Sequence, residues 1–254
     1  MPKRLRQTLG IGCLLLAAAC IVLFFHTIMQ ERAADELYTR NELVAAPATV
    51  IQPSASASTP APQAAAAREK RFQRLQEQFP DLVAWISGPD LDYPVVQGED
   101  NTFYLTHLAD GSPNQAGSIF LEAGVPSDFS AEISCIYGHT MARDTMFSGL
   151  KRYREQVFCQ QNPSFLLETP DGVGELTILG VCLRDGNDPY PTEFSSPESR
   201  EEFLSWVREH SLVTPDVSVS DDPLVILSTC AYDFENARLA VVTQLEWREG
   251  EENT

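Results

Sequence analysis

Two stretches decide the fold of the chain: residues 224–230 read LVILSTC, and residues 238–242 read RLAVV. Both are short runs of β-branched and other apolar residues, which are typical of buried strands. Only seven residues separate the two runs, so we predict neighbouring strands joined by a short loop. Such a pair brings Cys230, at the end of the first run, and Arg238, at the start of the second, to the same end of a sheet.

Similar apolar runs, separated by turn residues, precede this pair along the chain. One helical segment interrupts them, with Ser195 or Ser196 as its cap and Pro197 in its first turn. Seven short strands without regular helical crossovers predict a mainly β fold, either a barrel or a sandwich. The five earlier runs lie at residues 93–96, 117–121, 133–137, 164–167 and 176–182.

Helices are expected ahead of the strands. Phe72, Leu75 and Phe79 recur at spacings of three and four within residues 68–79, which predicts a helix with one apolar stripe. The apolar residues of the segment 82–86 suggest a second short helix after Pro80. We expect these helices to pack on the outside of the β domain.

The N-terminal residues predict a membrane anchor. Lys3, Arg4 and Arg6 precede an uncharged, mostly apolar stretch at residues 9–29, which is about as long as a bilayer-spanning helix. The basic flank favours a cytoplasmic N-terminus at residues 1–8 and an extracellular remainder of the chain. A cleaved signal peptide and a lipoprotein signal ending at Cys20 are the alternatives.

The remaining residues divide into a linker and a single domain. Ala, Pro, Ser and Thr dominate the centre of residues 30–66, a composition typical of a disordered stalk. Residues 67–254 are then the folded domain, which is long enough to bury a substantial core.

Charge and cysteine content exclude several classes of protein. The net charge is −18, and from Pro80 onward nine basic residues face thirty acidic ones. A domain this acidic is not expected to bind nucleic acid. The six cysteines are irregularly spaced, without a C-x-x-C pair, which argues against a metal site. Disulfides within the set Cys135, Cys159 and Cys182 remain open.

Cys230 is the candidate nucleophile because a cysteine at the end of a buried strand is both fixed and accessible. Arg238 beside it can lower the pKa of the thiol and hydrogen-bond an oxyanion. A general acid/base should be a histidine. His139 follows the run 133–137 and therefore lies at another strand end, so geometry favours it over His107 without excluding the latter.

The motifs around these residues resemble those of the class B sortases of Gram-positive bacteria. Residues 227–242 (LSTCAYDFENARLAVV) are similar to the sortase active-site signature, and residues 136–139 (IYGH) to its histidine motif. Residues 91–98 (LDYPVVQG) and 117–120 (GSIF) match the opening strands of class B. The similarity extends from about Phe79 to Leu245.

This resemblance implies a fold and an activity. The fold would be a sortase-type closed β-barrel of about eight strands, with N-terminal helices and one long helix before the cysteine strand. The activity would be a cysteine transpeptidase that cleaves a C-terminal sorting motif of exported proteins after Thr through a thioacyl-enzyme. The acyl group would pass to an amine of a peptidoglycan precursor or cross-bridge, or of a pilin. No metal or organic cofactor is implied.

The resemblance also assigns roles to individual residues. Cys230, His139 and Arg238 would be catalytic. Further candidates are Ser228, Thr229 and Tyr232 as the lining of the substrate groove, and Asn101 and Asp233 as orienters of His139. Apart from the resemblance, Tyr190 and Phe194 are candidate substrate contacts because they lie in the loop before the long helix.

Two other classes of protein remain as alternatives. A cysteine peptidase that only hydrolyses is disfavoured because papain-like enzymes place Cys before His, on a helix. A non-catalytic binding module would keep the fold without the reaction.

Overall fold

The described part of the chain comprises residues 3–39, 61–141 and 144–248 of a computed structural model. Most of the predicted stalk, residues 40–60, lies outside the described residues. The same holds for residues 1–2, 142–143 and 249–254.

Eight strands form a closed barrel with the order β1-β2-β3-β4-β7-β8-β6-β5. Strand β5 pairs with β1 and closes the sheet, and the pairs β2–β3 and β4–β7 are parallel. The closed barrel confirms the fold class and decides between a barrel and a sandwich. The strands are β1 (Leu82–Gly88), β2 (Leu91–Val96), β3 (Ile119–Leu121), β4 (Ile133–Tyr137), β5 (Ser164–Glu168), β6 (Val173–Asp185), β7 (Leu224–Cys230) and β8 (Ala237–Trp247).

In the described part of the chain, helices precede or connect the strands. Two 3-10 helices, Phe103–Leu105 and Phe147–Arg154, lie in its connections. The predicted helix before β7 is confirmed, with Ser196 as its N-cap and a capping box to Ser199. The α-helices are α1 (Lys3–Thr39), α2 (Ala61–Gln78), α3 (Gln156–Gln161) and α4 (Pro197–His210).

The sheet has a buried residue set on each face around β7. Val225 and Leu227 belong to the main core inside the barrel, whereas Leu224 and Ile226 belong to a second core. This second core also contains Leu204 and Val207 of α4 and therefore lies on the outer face of the sheet. Because successive side chains alternate between faces, Ser228 and Cys230 point to the outer face, beyond the end of the α4 packing.

The short helix predicted at residues 82–86 is wrong, because these residues form strand β1. Leu82, Ala84, Trp85 and Ile86 are all at most 4% exposed, so the strand is buried on both faces. Such a strand loses the period-two pattern and cannot be distinguished from a helix by periodicity. Its tight connection to β2 includes Asp90 at a φ of 59°.

The ends of the predicted stalk are also helical. Residues 30–39 continue α1, and residues 61–66 begin α2. The four alanines at 64–67 favour a helix because alanine has the highest intrinsic helix propensity. α2 is held on the barrel by Arg71, which pairs with Glu168 and lies 5.3 Å from the Trp85 ring.

Candidate active site

Strand register brings His139 level with Cys230. Strands β4 and β7 are parallel, and Tyr137 pairs with Ser228, so the residues two positions later reach the same height. The N–H of Gly138 donates to the Ser228 carbonyl at 3.1 Å, and the Thr140 hydroxyl donates to the Cys230 carbonyl at 2.9 Å. These bonds extend the strand pairing and fix the backbone on both sides of His139.

The strand register places the Cys230 thiol beside the His139 imidazole. A hydrogen bond between the two side chains is the main cause that lowers the pKa of Cys230, and the positive charges of Arg238 and His139 act in the same direction. The same bond raises the pKa of His139, assisted by a bond to a backbone carbonyl. Together these shifts favour a thiolate beside an imidazolium, which is the reactive form of a cysteine nucleophile.

The second ring nitrogen of His139 is held by Leu105. The Nε2 atom lies 2.8 Å from the Leu105 carbonyl oxygen. A carbonyl oxygen only accepts, so Nε2 must carry a hydrogen. The other nitrogen, Nδ1, is therefore the one that exchanges a proton with the Cys230 sulfur.

Arg238 lies opposite Cys230 on β8, as a directly paired residue of the antiparallel β7–β8 ladder. Its guanidinium donates to the Ala237 carbonyl at 3.2 Å. Gly186, just after β6, leaves room for it, because a Cβ there would lie 3.0 Å from Arg238 Cζ. The positive charge is thereby held near the sulfur and on the same face of the sheet.

Two glycines allow close packing around His139, Gly138 against Phe147 and Gly117 against the imidazole itself. A Cβ at Gly138 would lie 2.7 Å from the Phe147 ring. Gly117 has a φ of 61°, and a Cβ there would approach the Leu105 carbonyl to 2.8 Å and His139 Cδ2 to 2.9 Å. Gly117 thus packs directly against the imidazole and the carbonyl that binds it.

The three groove residues predicted from the resemblance have different environments. Ser228 and Thr229 are only 2% and 3% exposed. Ser228 Oγ lies 3.1 Å from the Tyr190 hydroxyl, and Thr229 Oγ1 lies 2.8 Å from Thr140 Oγ1. Both side chains are thus bonded inside the protein rather than lining an open groove. Tyr232 is 84% exposed in the β7–β8 loop and is available to a ligand.

Asn101 and Asp233 do not orient His139 in the structure. Asn101 Oδ1 accepts from the Ala123 N–H at 2.7 Å. Asp233 forms a two-pronged pair with Arg154 at 2.6 and 3.2 Å, which holds the β7–β8 loop against the 3-10 helix. The orienting partner of His139 is a backbone carbonyl, which leaves no residue-type signal in a sequence.

The other predicted side chains are accounted for by packing. His107 stacks on Phe103 with ring centroids 4.0 Å apart, which leaves His139 as the partner of Cys230. The Phe194 ring lies 5.8 Å from Phe203 of α4. Cys135, Cys159 and Cys182 are buried and free, so none of them forms a disulfide.

No model of a known protein family matches the chain. Two curated proteins do. Sortase B of Listeria monocytogenes is 32% identical over 177 residues, which cover 67% of this chain and 72% of that protein. The chain belongs to the class B sortases. Sortase B of Staphylococcus aureus is 30% identical over 187 residues, covering 69% of this chain and 74% of the relative.

Solved class B sortases share the fold. A Staphylococcus aureus sortase B structure aligns with a TM-score of 0.66 at 28% identity, covering 70% of this chain and 88% of that one. A mutant form of Clostridium perfringens sortase B gives 0.68 at 30% identity, covering 73% and 90%. A substrate complex of the Staphylococcus aureus enzyme also aligns, with a TM-score of 0.66 at 26% identity and coverage of 70% and 86%. As a class B sortase the chain is a cysteine transpeptidase.

Proposed function

We propose that this class B sortase cleaves the C-terminal sorting motif of exported proteins after Thr and transfers the resulting acyl group to an amine of the cell wall or of a pilin. The observation that carries the proposal is the strand register, which brings His139 level with Cys230 and places Arg238 directly opposite the cysteine. A thiolate, a proton carrier and a fixed cation are the groups that acyl transfer from a peptide requires.

In the first half of the reaction, the Cys230 thiolate attacks the carbonyl carbon of the motif threonine. The guanidinium of Arg238 hydrogen-bonds the oxyanion that forms. The C–N bond then breaks, and the departing amine takes the proton from Nδ1 of the His139 imidazolium. A thioester between Cys230 and the threonine carbonyl remains, while the C-terminal part of the substrate leaves.

In the second half, an acceptor amine attacks the thioester carbonyl. His139, now neutral, accepts a proton from this amine at Nδ1. Collapse of the second oxyanion breaks the C–S bond, which releases the new amide and regenerates the thiolate–imidazolium pair. The Leu105 carbonyl, 2.8 Å from Nε2, keeps the imidazole in one tautomer and one orientation through both halves.

We propose that a single N-terminal helix anchors the enzyme in the cytoplasmic membrane and that its catalytic domain acts at the extracellular face of that membrane. The proposed span is the apolar stretch at residues 9–29. It overlaps the segment Leu15–Tyr38 of α1, which is long and apolar enough to cross a bilayer, a test that a signal sequence near the N-terminus also passes. Leu15, Phe24 and Met29 are 67%, 64% and 61% exposed, so these apolar side chains of α1 do not pack against the barrel. Lys3, Arg4 and Arg6 favour a cytoplasmic N-terminus and therefore an extracellular barrel.

Product analysis tests this function against simple hydrolysis. Full-length protein in detergent micelles is incubated with pooled sorting-motif peptides, with and without triglycine or a lysine-containing pilin peptide as acceptor. Transpeptidation predicts a ligated product that grows with acceptor concentration at the expense of free acid. If the only product at a saturating concentration of acceptor amine were the peptide with a free carboxylic acid, the enzyme would be a hydrolase. The acceptor that competes best names the amine class.

A further inference from the structure

The C-terminal part of α1 packs on the barrel beside residues 104–118, the segment that contacts His139. Ala34 and Tyr38 are each only 4% exposed, although the preceding apolar part of the helix is open. The Tyr38 ring packs at 5.5 Å from Tyr93 and 6.5 Å from Phe79. With Gln30, these residues recur every four positions and form one face of the helix.

Tyr38 has both its hydrogen-bonding capacities satisfied by the segment between the first 3-10 helix and β3. The Ala109 N–H donates to the Tyr38 hydroxyl at 3.2 Å. Ser118 Oγ lies 3.3 Å from the same hydroxyl and donates its own hydrogen to the His107 carbonyl at 2.9 Å. Since a serine has one hydroxyl hydrogen, Tyr38 is the donor to Ser118.

A second contact lies two turns earlier in the helix. Asn114 Nδ2 donates to the Gln30 carbonyl at 2.9 Å, and the Gln115 N–H donates to Gln30 Oε1 at 2.9 Å. Asn114 is 5% exposed, and its carbonyl accepts from the Gly117 N–H at 3.1 Å. The helix therefore forms hydrogen bonds with both ends of residues 114–118.

Residues 114–118 in turn contact the groups that hold His139. The Ser118 N–H donates to the Tyr104 carbonyl at 2.9 Å, and Leu105, the next residue, accepts from His139 Nε2. Gly117 lies between them, against the imidazole and the Leu105 carbonyl. Two hydrogen bonds, through Ser118 and Tyr104, thus connect the Tyr38 hydroxyl to the residue before Leu105.

We propose that Tyr38 is a positioning residue for the transfer reaction. By hydrogen-bonding Ser118, it fixes residues 104–118, the segment that holds His139 against Cys230. The inference rests on the proposed role of His139 and adds to it a function for the segment that follows the apolar stretch. That segment, residues 30–38, becomes part of the catalytic unit rather than the beginning of a passive stalk.

The test compares full-length variants in detergent micelles. Tyr38→Phe removes the hydroxyl and keeps the ring, whereas Tyr38→Ala removes both. Glu36→Ala is the matched control, because Glu36 is exposed two residues earlier on the same helix. The readouts are kcat and KM for peptide transfer, and the alkylation rate of Cys230 against pH, followed by mass mapping of the Cys230 peptide.

Tyr38→Phe should lower kcat about fivefold, the usual effect of one lost hydrogen bond, and Tyr38→Ala by at least about tenfold. KM should stay within about twofold, since Tyr38 touches no substrate. A looser Leu105–His139 bond should move the alkylation profile of Cys230 to higher pH. The groups that shift the pKa of His139 are Cys230, the Leu105 carbonyl and Arg238. Of these, Leu105 is the one that the hydrogen bonds described above link to Tyr38, so this shift would report the position of that carbonyl.

An unchanged kcat and an unchanged alkylation profile in Tyr38→Phe and in folded Tyr38→Ala would overturn the proposal and leave Tyr38 as a packing residue. If Tyr38→Ala does not fold, Tyr38→Phe decides. Alkylation needs no sorting peptide. A wild-type protein that transfers no peptide would therefore count against the proposed function without removing the comparison of thiol reactivity.

Discussion

At the scale of single residues, the chemistry of this sortase depends on the mutual effect of Cys230 and His139. Each raises the fraction of the other's charged form, because the hydrogen bond between them lowers the pKa of the thiol and raises that of the imidazole. Burial opposes both shifts, so each charged form loses its main support when the partners separate.

The first prediction concerns the pH dependence of Cys230. His139→Ala removes the main contribution that lowers the pKa of the thiol, so the midpoint of Cys230 alkylation should move to higher pH, towards the range of an ordinary thiol. His210→Ala is the control, because that ring stacks on Trp206 at 4.8 Å in α4. Identical profiles for the two variants would show that His139 does not activate Cys230.

The second prediction concerns the space around His139. Gly117→Ala should lower kcat at least about tenfold, because its Cβ would collide with the Leu105 carbonyl and the imidazole. Gly111→Ala is a matched control: Gly111 also has a positive φ, of 78°, but its Cβ would meet nothing within 4 Å. Both variants should lose about 1–2 kcal/mol of stability from the left-handed conformation. Equal activities would contradict a specific role of Gly117.

At the scale of elements, sequence patterns located most of the barrel and the side chains at its rim. Strands β2 to β8 and helix α4 have clear apolar runs or caps, and the catalytic candidates follow from strand ends. Strand β1 has the sequence pattern of a helix because burial on both faces removes its alternation. The Leu105 carbonyl could not be found, since the backbone of any residue supplies the same acceptor. The resemblance assigns Asn101 and Asp233 to the orientation of His139, yet in the structure these two residues bind Ala123 and Arg154.

The third prediction concerns the cap of α4, the helix that covers the outer core. Ser196→Ala should reduce the free energy of unfolding by about 1 kcal/mol, because it removes the side-chain acceptor for the Ser199 N–H. Ser195→Ala changes an exposed residue and should have little effect. Urea unfolding of full-length protein in detergent measures both. A loss of the same size at Ser195 would indicate that the cap is not at Ser196.

At the scale of the whole molecule, the acidic domain and the apolar helix differ in charge and in exposed surface. The domain carries the excess of acidic residues and is kept in solution by its charge. The apolar part of α1 is exposed and is compatible with a membrane anchor or with a signal sequence, and residues 30–38 connect it to the barrel. An enzyme built in this way would meet exported substrates where they leave the membrane.

The fourth prediction concerns this orientation. In intact cells, a membrane-impermeant maleimide should label Cys230, whereas Cys13 and Cys20 should be protected within the bilayer. The mature protein should also keep its N-terminal residues, as shown by its intact mass. Labelling of Cys230 only after permeabilisation would contradict an extracellular domain, and a mass that lacks the apolar stretch would identify a cleaved signal.

The most direct test of the central claim is the intact mass of the full-length protein after incubation with pooled sorting-motif peptides, beside Cys230→Ala. Hydroxylamine and then triglycine are added as acceptors. The account predicts an acyl adduct on the wild-type chain, absent from Cys230→Ala, that disappears as the amide product forms. An adduct that persists in Cys230→Ala, or that yields only free acid in the presence of amine, would contradict transpeptidation through Cys230.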